Sequence, residues 1–222
     1  MNVAMIPARV GSERLVEKNF LLINNQSLIE NSLELAIFSE CFESVFLNGD
    51  SEIFRAYAER KSAEFHLRPN HLGSSDTPID AVINEFLLSN DSVTRLFLIN
   101  PPSQLLTVDD IKEFFEDFIE HNVDSMIATT SLSRHAQLLG NPINFDRDAP
   151  LARTQDLNPI EVFNYSIMAW RAEAYLASYK KNGAGLMCGT FKTFENGIRN
   201  FLAIKNSEDF QIVKTLRESS NL

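Results

Sequence analysis

Val3-Ala4-Met5-Ile6-Pro7-Ala8-Arg9-Val10-Gly11-Ser12-Glu13-Arg14-Leu15-Val16-Glu17-Lys18-Asn19 carries the strongest structural signal in the sequence. Val3 to Ile6 reads as a buried strand that stops at Pro7, and a polar loop follows directly. That loop combines Gly11, the Ser12 hydroxyl and the cations Arg9, Arg14 and Lys18. In an open parallel sheet, the segment after a strand lies at the carboxyl ends of the strands, where ligands bind. Amides around Gly11 and Ser12 can turn toward an anion, and the cations can neutralise phosphate charge. The spacing is neither a Gly-x-x-x-x-Gly-Lys-Ser/Thr loop nor a Gly-x-Gly-x-x-Gly dinucleotide fingerprint. The competing reading is a solvated turn whose cations pair with Glu13 and Glu17, and these residues alone leave both open.

Outward from that loop, short apolar runs alternate with helical patterns. Ser27-Leu28-Ile29-Glu30 has capping-box form and predicts a helix to about Ser39. Val45 to Asn48 predicts a strand, Ser51 to Lys61 a helix, and Ala63 to Leu67 a short strand. Ser75-Asp76-Thr77-Pro78 predicts a helix start with Pro at the first helical position. Thr94 to Ile99 predicts a strand. Thr107 then caps a helix carrying Ile111, Phe114, Phe115 and Phe118 at helical spacing, with Asp109 and Asp110 as N-terminal charge. Asp124 to Thr130 and Val162 to Trp170 predict further strands, and Ser207 to Arg217 a closing helix. This alternation predicts an α/β fold, a mixed but mainly parallel sheet sandwiched by helices. The 137–163 stretch carries Pro142, Pro150 and Pro159 and little periodicity, and predicts an excursion with its own hairpin or a dimer contact.

The length of 222 residues predicts a single domain, 1–222, with a sizeable core. Lys+Arg 20 against Asp+Glu 30 gives a net charge of −10, which repels phosphate backbones and anionic lipids, so nucleic acid and membrane are excluded as expected partners. A small anion in a locally basic pocket is compatible with that charge. Cys41 and Cys188 lack metal-ligand spacing and suit a reducing cytoplasm. His66, His71, His121 and His135 are scattered without zinc spacing.

The opening segment resembles the Pro-Ala-Arg-x-Gly-Ser-x-Arg-(Ile/Leu)-x-x-Lys-Asn signature of the sugar-acid cytidylyltransferases, the CMP-N-acetylneuraminate synthetase family. The likeness continues through Ser27-Leu28-Ile29, Leu67-Arg68-Pro69, Ser75-Asp76-Thr77, Leu98 to Thr107, Asn164 to Ala169 and Ser207-Glu208-Asp209-Phe210. It implies a Rossmann-like nucleotidyltransferase, usually dimeric, in which a 2-keto-3-deoxy sugar acid attacks the α-phosphate of CTP and pyrophosphate leaves. By the same resemblance, Arg9, Gly11, Ser12, Arg14 and Lys18 grip the triphosphate. Asn19, Arg68 and Ser75 hold the cytidine, with Gly73 and Ser74 beside the base. Asn100, where the family has Gln, faces sugar and nucleotide, and Asn164 contacts substrate.

The departures from the family pattern carry equal weight. The family reads Ile-Asp-Ile-Asp-Thr before its last helix, and the resemblance implies that those aspartates hold Mg²⁺. This chain has Leu202-Ala203-Ile204-Lys205-Asn206 there, and neither Ala203 nor Lys205 can ligate a hard cation. Three readings follow: the metal is held otherwise, the Lys205 ammonium stands in for it, or transfer has been lost and a nucleotide-binding or assembly role remains. Asp209 matches a helix residue rather than a metal ligand. Leu106 and Val162 stand where the family has Arg, and Tyr165 where it has Gly, which alters the acceptor side. Arg134 and Arg153 are the candidate replacements, with a plain surface charge as the alternative for each.

Overall fold

The computed structural model describes residues 1–11 and 15–220. Its strands are β1 (Asn2–Ala8), β2 (Leu22–Ile23), β3 (Gln26–Ser27), β4 (Ser44–Gly49), β5 (Glu64–Leu67), β6 (Arg95–Ile99), β7 (Ser125–Leu132), β8 (Gln137–Leu138), β9 (Asn141–Pro142), β10 (Ile160–Arg171) and β11 (Phe191–Glu195). The helices are α1 (Leu28–Phe38), α2 (Arg55–Arg60), α3 (Ile79–Ser89), α4 (Val108–His121), α5 (Ala172–Asn182) and α6 (Ser207–Ser220). One seven-stranded sheet runs β11-β7-β10-β6-β1-β4-β5. Every neighbouring pair in it is parallel except those of β10, which is antiparallel to both β6 and β7. The expected mixed, mainly parallel α/β architecture is therefore present.

Alternation along the strands builds a core on each face. Ala4, Ile6 and Ala8 of β1 face one way, with Leu47, Phe97 and Ala169, against Ile29 and Leu33 of α1 and Ile111, Phe114 and Phe118 of α4. Val3 and Met5 face the other way, with Leu98, Met168 and Trp170, against Ile83 and Phe86 of α3 and Tyr175 of α5. A third cluster joins Ile23, Leu28 and Leu105 to Ile204 and Val213, fastening α6 near the carboxyl ends of the strands.

Local signals set most boundaries. Ser27 and Glu30 form the full capping box of α1, and Thr107 and Asp110 that of α4. Asp110 also pairs with Arg199 at 2.8 Å. Three expectations need correction. Pro78 occupies the cap position of α3 with extended dihedrals rather than the first helical position, and no side chain caps that helix. Residues 51–61 split into a 3-10 turn, Glu52–Phe54, and the short α2. The 137–163 stretch forms the β8–β9 hairpin, but its last residues, from Ile160, already belong to β10. The α5–β11 segment, with little amphipathic periodicity, was not anticipated.

Gly189 admits a sharp test of one connection. It sits at φ +56, and a Cβ there would lie 2.2 Å from Asp124 Oδ2. That carboxylate accepts from Thr190 N at 2.8 Å and Thr190 Oγ1 at 2.9 Å, bonds that hold its pKa below the usual range and lock the entry to β11. Gly189→Ala therefore combines left-handed strain with a clash and is expected to cost about 2 kcal/mol. Gly140, at φ +83 with open space around it, carries the strain alone. A smaller fall in melting temperature for Gly140→Ala than for Gly189→Ala is the expected calorimetric result.

Candidate active site

The carboxyl ends of β1, β4, β5 and β6 open on one edge of the sheet, where a cavity of about 670 Å³ lies. Because β10 runs the other way, its entering half supplies Tyr165 and Met168 to the same cavity. The order of strands reverses around β1, which places the cavity at a topological switch point.

Arg9, Lys18, Asn19, Arg68, Ser74, Ser75, Asn100 and Lys205 all line it. The fold thus gathers residues spread over nearly two hundred positions of sequence. The loop after β1 is held by two bonds: Asn19 Nδ2 donates to the Arg9 carbonyl at 2.9 Å, and Val10 N donates to Asp50 Oδ1 at 3.0 Å. Ser12, Glu13 and Arg14 lie outside the described residues, so the phosphate roles expected of Ser12 and Arg14 have no structural account. Gly11 is exposed with open space around it and does not line the cavity. Lys18 begins a 3-10 turn, and its Nζ donates to the Ile204 carbonyl at 3.4 Å.

Arg68 is only 5% exposed. Its guanidinium donates to the Ala8 carbonyl and, at 2.8 Å, to the Asn48 carbonyl, tying the ends of β1 and β4 together. Burial pulls its pKa down, and the Asp50 and Glu85 carboxylates oppose that pull. Gly73 closes the turn Asn70–Leu72 and packs against Asp50, which sits 3.1 Å from where its Cβ would be. It supports the Ser74–Thr77 wall rather than lining the cavity. Asp50 is the positioning residue that sequence reasoning missed, since it joins the Val10 amide, Gly73 and the charge of Arg68. Its place after β4 in a parallel sheet was the available signal.

Asn164 also stands behind the wall. Its side chain belongs to a buried network, accepting from Ser166 N at 2.9 Å and donating to Thr130 Oγ1 at 3.0 Å and Asn196 Oδ1 at 2.7 Å. Asn196 in turn donates to Ser166 Oγ at 2.7 Å. The network brackets Tyr165, held at φ 55 where the β10–β7 register breaks, with its ring stacked on Phe163 at 5.7 Å. Leu106 is core-buried and Val162 pairs with Thr130, so neither lines the cavity. Arg134 is exposed, and Arg153 pairs with Asp156 on the surface at 2.6 Å.

Charge is the site's most informative property. Among the described residues, Arg9, Arg68 and Lys205 form no ion pair, although acidic side chains outnumber basic ones across the chain. Asp76 is the only carboxylate among the described residues of the lining. Such a cavity is arranged to receive an anion.

A family profile described as Cytidylyltransferase matches residues 3–164. The chain belongs to the cytidylyltransferase family. Within that family, it is 26% identical over 182 residues to an N-acylneuraminate cytidylyltransferase of Streptococcus agalactiae serotype V, covering 78% of this chain and 44% of that protein. The chain thus spans less than half the length of that relative. It is 28% identical over 167 residues to a pseudaminic acid cytidylyltransferase of Campylobacter jejuni, covering 70% and 72% of the two chains. The structure of a CMP:2-keto-3-deoxy-manno-octonic acid synthetase complexed with CTP superposes with a TM-score of 0.76 at 14% identity, over 100% of this chain and 99% of that one, a likeness of fold.

The Mg²⁺ implied by resemblance does not fit the residues at its place. Ala203 offers no side-chain ligand, and Lys205 presents a cation to the cavity. The nearby Asp209 carboxylate caps α6, accepting from Lys205 N at 2.8 Å and Asn206 N at 3.2 Å. Among the described residues, no cluster of three His, Cys, Asp or Glu side chains could hold a metal. No described helix is long and apolar enough to cross a membrane.

Proposed function

We propose that this cytidylyltransferase-family chain binds CTP in the cavity and transfers CMP to a 2-keto-3-deoxy sugar acid, a nonulosonate of the sialic-acid type. The observation that carries the reading is the set of cavity cations lacking carboxylate partners, Arg9, Arg68 and Lys205, in an otherwise acidic family member. The anomeric hydroxyl oxygen of the sugar forms a bond to the α-phosphorus. The bond from that phosphorus to the oxygen bridging to the β-phosphorus breaks, pyrophosphate leaves with the electron pair, and the hydroxyl proton passes to solvent. Positioning and charge stabilisation dominate such a transfer. Arg9 and Lys18 serve the phosphates, joined by Ser12 and Arg14 of the same loop, while Asn19, Arg68, Ser74 and Ser75 serve the cytidine. The reading includes a homodimer, with the exposed Leu138, Leu139, Ile143 and Leu151 of the hairpin region as its contact.

Calorimetric titration with CTP, UTP, GTP and ATP tests it. CTP is expected to bind at least about tenfold more tightly than the others, a difference near 1.4 kcal/mol. Pyrophosphate release on adding N-acetylneuraminate or pseudaminate then identifies the acceptor class. Absence of binding by all four nucleotides overturns the reading. CTP binding without turnover of any sugar acid favours the second reading, a nucleotide-binding assembly protein, which the Ala203 and Lys205 substitutions motivate.

A further inference from the structure

We infer that Lys205 supplies, from within the chain, the positive charge that the family resemblance assigns to a divalent cation, so that the nucleotide is bound without metal. The inference rests on the CTP reading above and concerns how the same cavity neutralises a triphosphate. Four observations converge on it. Lys205 lines the cavity and its ammonium has no hydrogen-bond or ion-pair partner among the described residues. Its backbone is fixed on both sides, because Ile204 N donates to the Pro102 carbonyl at 2.9 Å and Lys205 N donates to Asp209. Lys18 reaches the same strip of chain through the Ile204 carbonyl, so two ammonium groups meet one wall. The strip also leads directly into the N-terminus of the fourteen-residue α6, whose dipole adds positive potential.

A divalent cation placed beside that wall would be repelled by Lys18 and Lys205, while the Asp209 carboxylate at the start of α6 is already engaged by the Lys205 and Asn206 amides. A triphosphate carrying no metal would be attracted by both ammonium groups. Set against the pattern that the resemblance implies, Lys205 in place of a carboxylate makes a cation site part of an anion site, and Ala203 leaves no second carboxylate beside it.

The test is CTP titration of the full chain by calorimetry, once with excess Mg²⁺ and once with EDTA, on wild type, Lys205→Ala and Lys205→Arg. Wild type is expected to bind CTP in EDTA as tightly as in Mg²⁺, or more tightly, within about twofold. Lys205→Ala is expected to lose about tenfold or more in EDTA, the scale of one charge-assisted contact, while Lys205→Arg stays within about threefold. Lys205 is exposed, so the variants fold, and an unchanged melting temperature checks that. Tightening of wild type about tenfold by Mg²⁺ overturns the inference and directs attention to Asp76. CTP binding that is indifferent to Lys205→Ala overturns it while leaving the CTP reading intact. Failure of wild type to bind CTP in both buffers overturns both. Ala203→Asp with Lys205→Asp is expected to make CTP binding demand Mg²⁺, a gain that a bystander position would not show.

Discussion

Arg68→Ala is expected to abolish measurable CTP binding, a loss of at least about 30-fold, and to destabilise the fold by about 2 kcal/mol. The side chain is almost wholly enclosed, and its guanidinium bonds the Ala8 and Asn48 carbonyls at the ends of adjacent strands. Removing it takes a charged donor away from each of two carbonyls, a bond of this kind being worth roughly 1.5–3 kcal/mol. Part of that loss is offset, because the guanidinium is itself held at the expense of burial, as the direction of its pKa shift records. The binding loss has a separate origin: the carbonyls it pins lead into the loop beginning at Arg9, and its own charge faces the cavity. Arg68→Lys keeps a cation but has one compact donor group instead of a planar fork, so it is expected to recover charge attraction without restoring both bonds. Urea unfolding and CTP titration read the two effects independently. Wild-type CTP affinity in Arg68→Ala would remove this residue from the nucleotide site.

Asn164→Ala is expected to lower stability by about 3 kcal/mol, seen as a fall in melting temperature of about 6–12 °C, while CTP affinity stays within about threefold. The amide makes three bonds in a buried setting, and Asn196, Thr130 and Ser166 each lose a partner when it is cut back. Water has poor access, because Ser166 and Thr130 are fully buried and Asn164 is only 7% exposed. The network also fixes Tyr165 in a left-handed conformation that a bulky residue adopts at a cost of about 1–2 kcal/mol. Asn164→Asp retains the acceptor for Ser166 N but sets a carboxylate against Asn196 Oδ1, and is expected to be no better tolerated. A variant of unchanged stability that loses ligand binding would return Asn164 to the cavity surface.

Elements with a self-contained local signal were legible in the sequence. Ser27 with Glu30, and Thr107 with Asp110, announce helix starts because the capping groups lie three residues apart and close on each other without help from the fold. Val3 to Ile6 and Thr94 to Ile99 announce buried strands because both of their faces must be covered. The loop after β1 stands out for the same reason, since a glycine, a hydroxyl and several cations concentrated in one short stretch of an acidic chain need no tertiary partner to be noticed, although they leave a phosphate site and a solvated turn both open. The α5–β11 segment was not, because its helix is only weakly amphipathic and β11 is recognised by pairing with β7. Pro78 misled by one position: its fixed φ suits the cap as well as the first helical residue, and only the backbone around Ile79 distinguishes the two.

Residue types along the chain suffice for the α/β class, the loop after the first strand, the family resemblance and the presence of Ala203 and Lys205 where that resemblance implies carboxylates. Tertiary structure decided which of the candidates share a surface. Lys18 and Lys205 are far apart in the chain and meet through the Ile204 carbonyl. Asp50 acquires its role only when β4 lies beside β1, and Asn164 stands behind the cavity wall because Thr130 of β7 and Asn196, just past β11, take its two amide hydrogens. Chemical type is a property of each residue alone. Partnership depends on distance and on competition for a finite number of hydrogen-bonding groups, and both exist only once the sheet has formed.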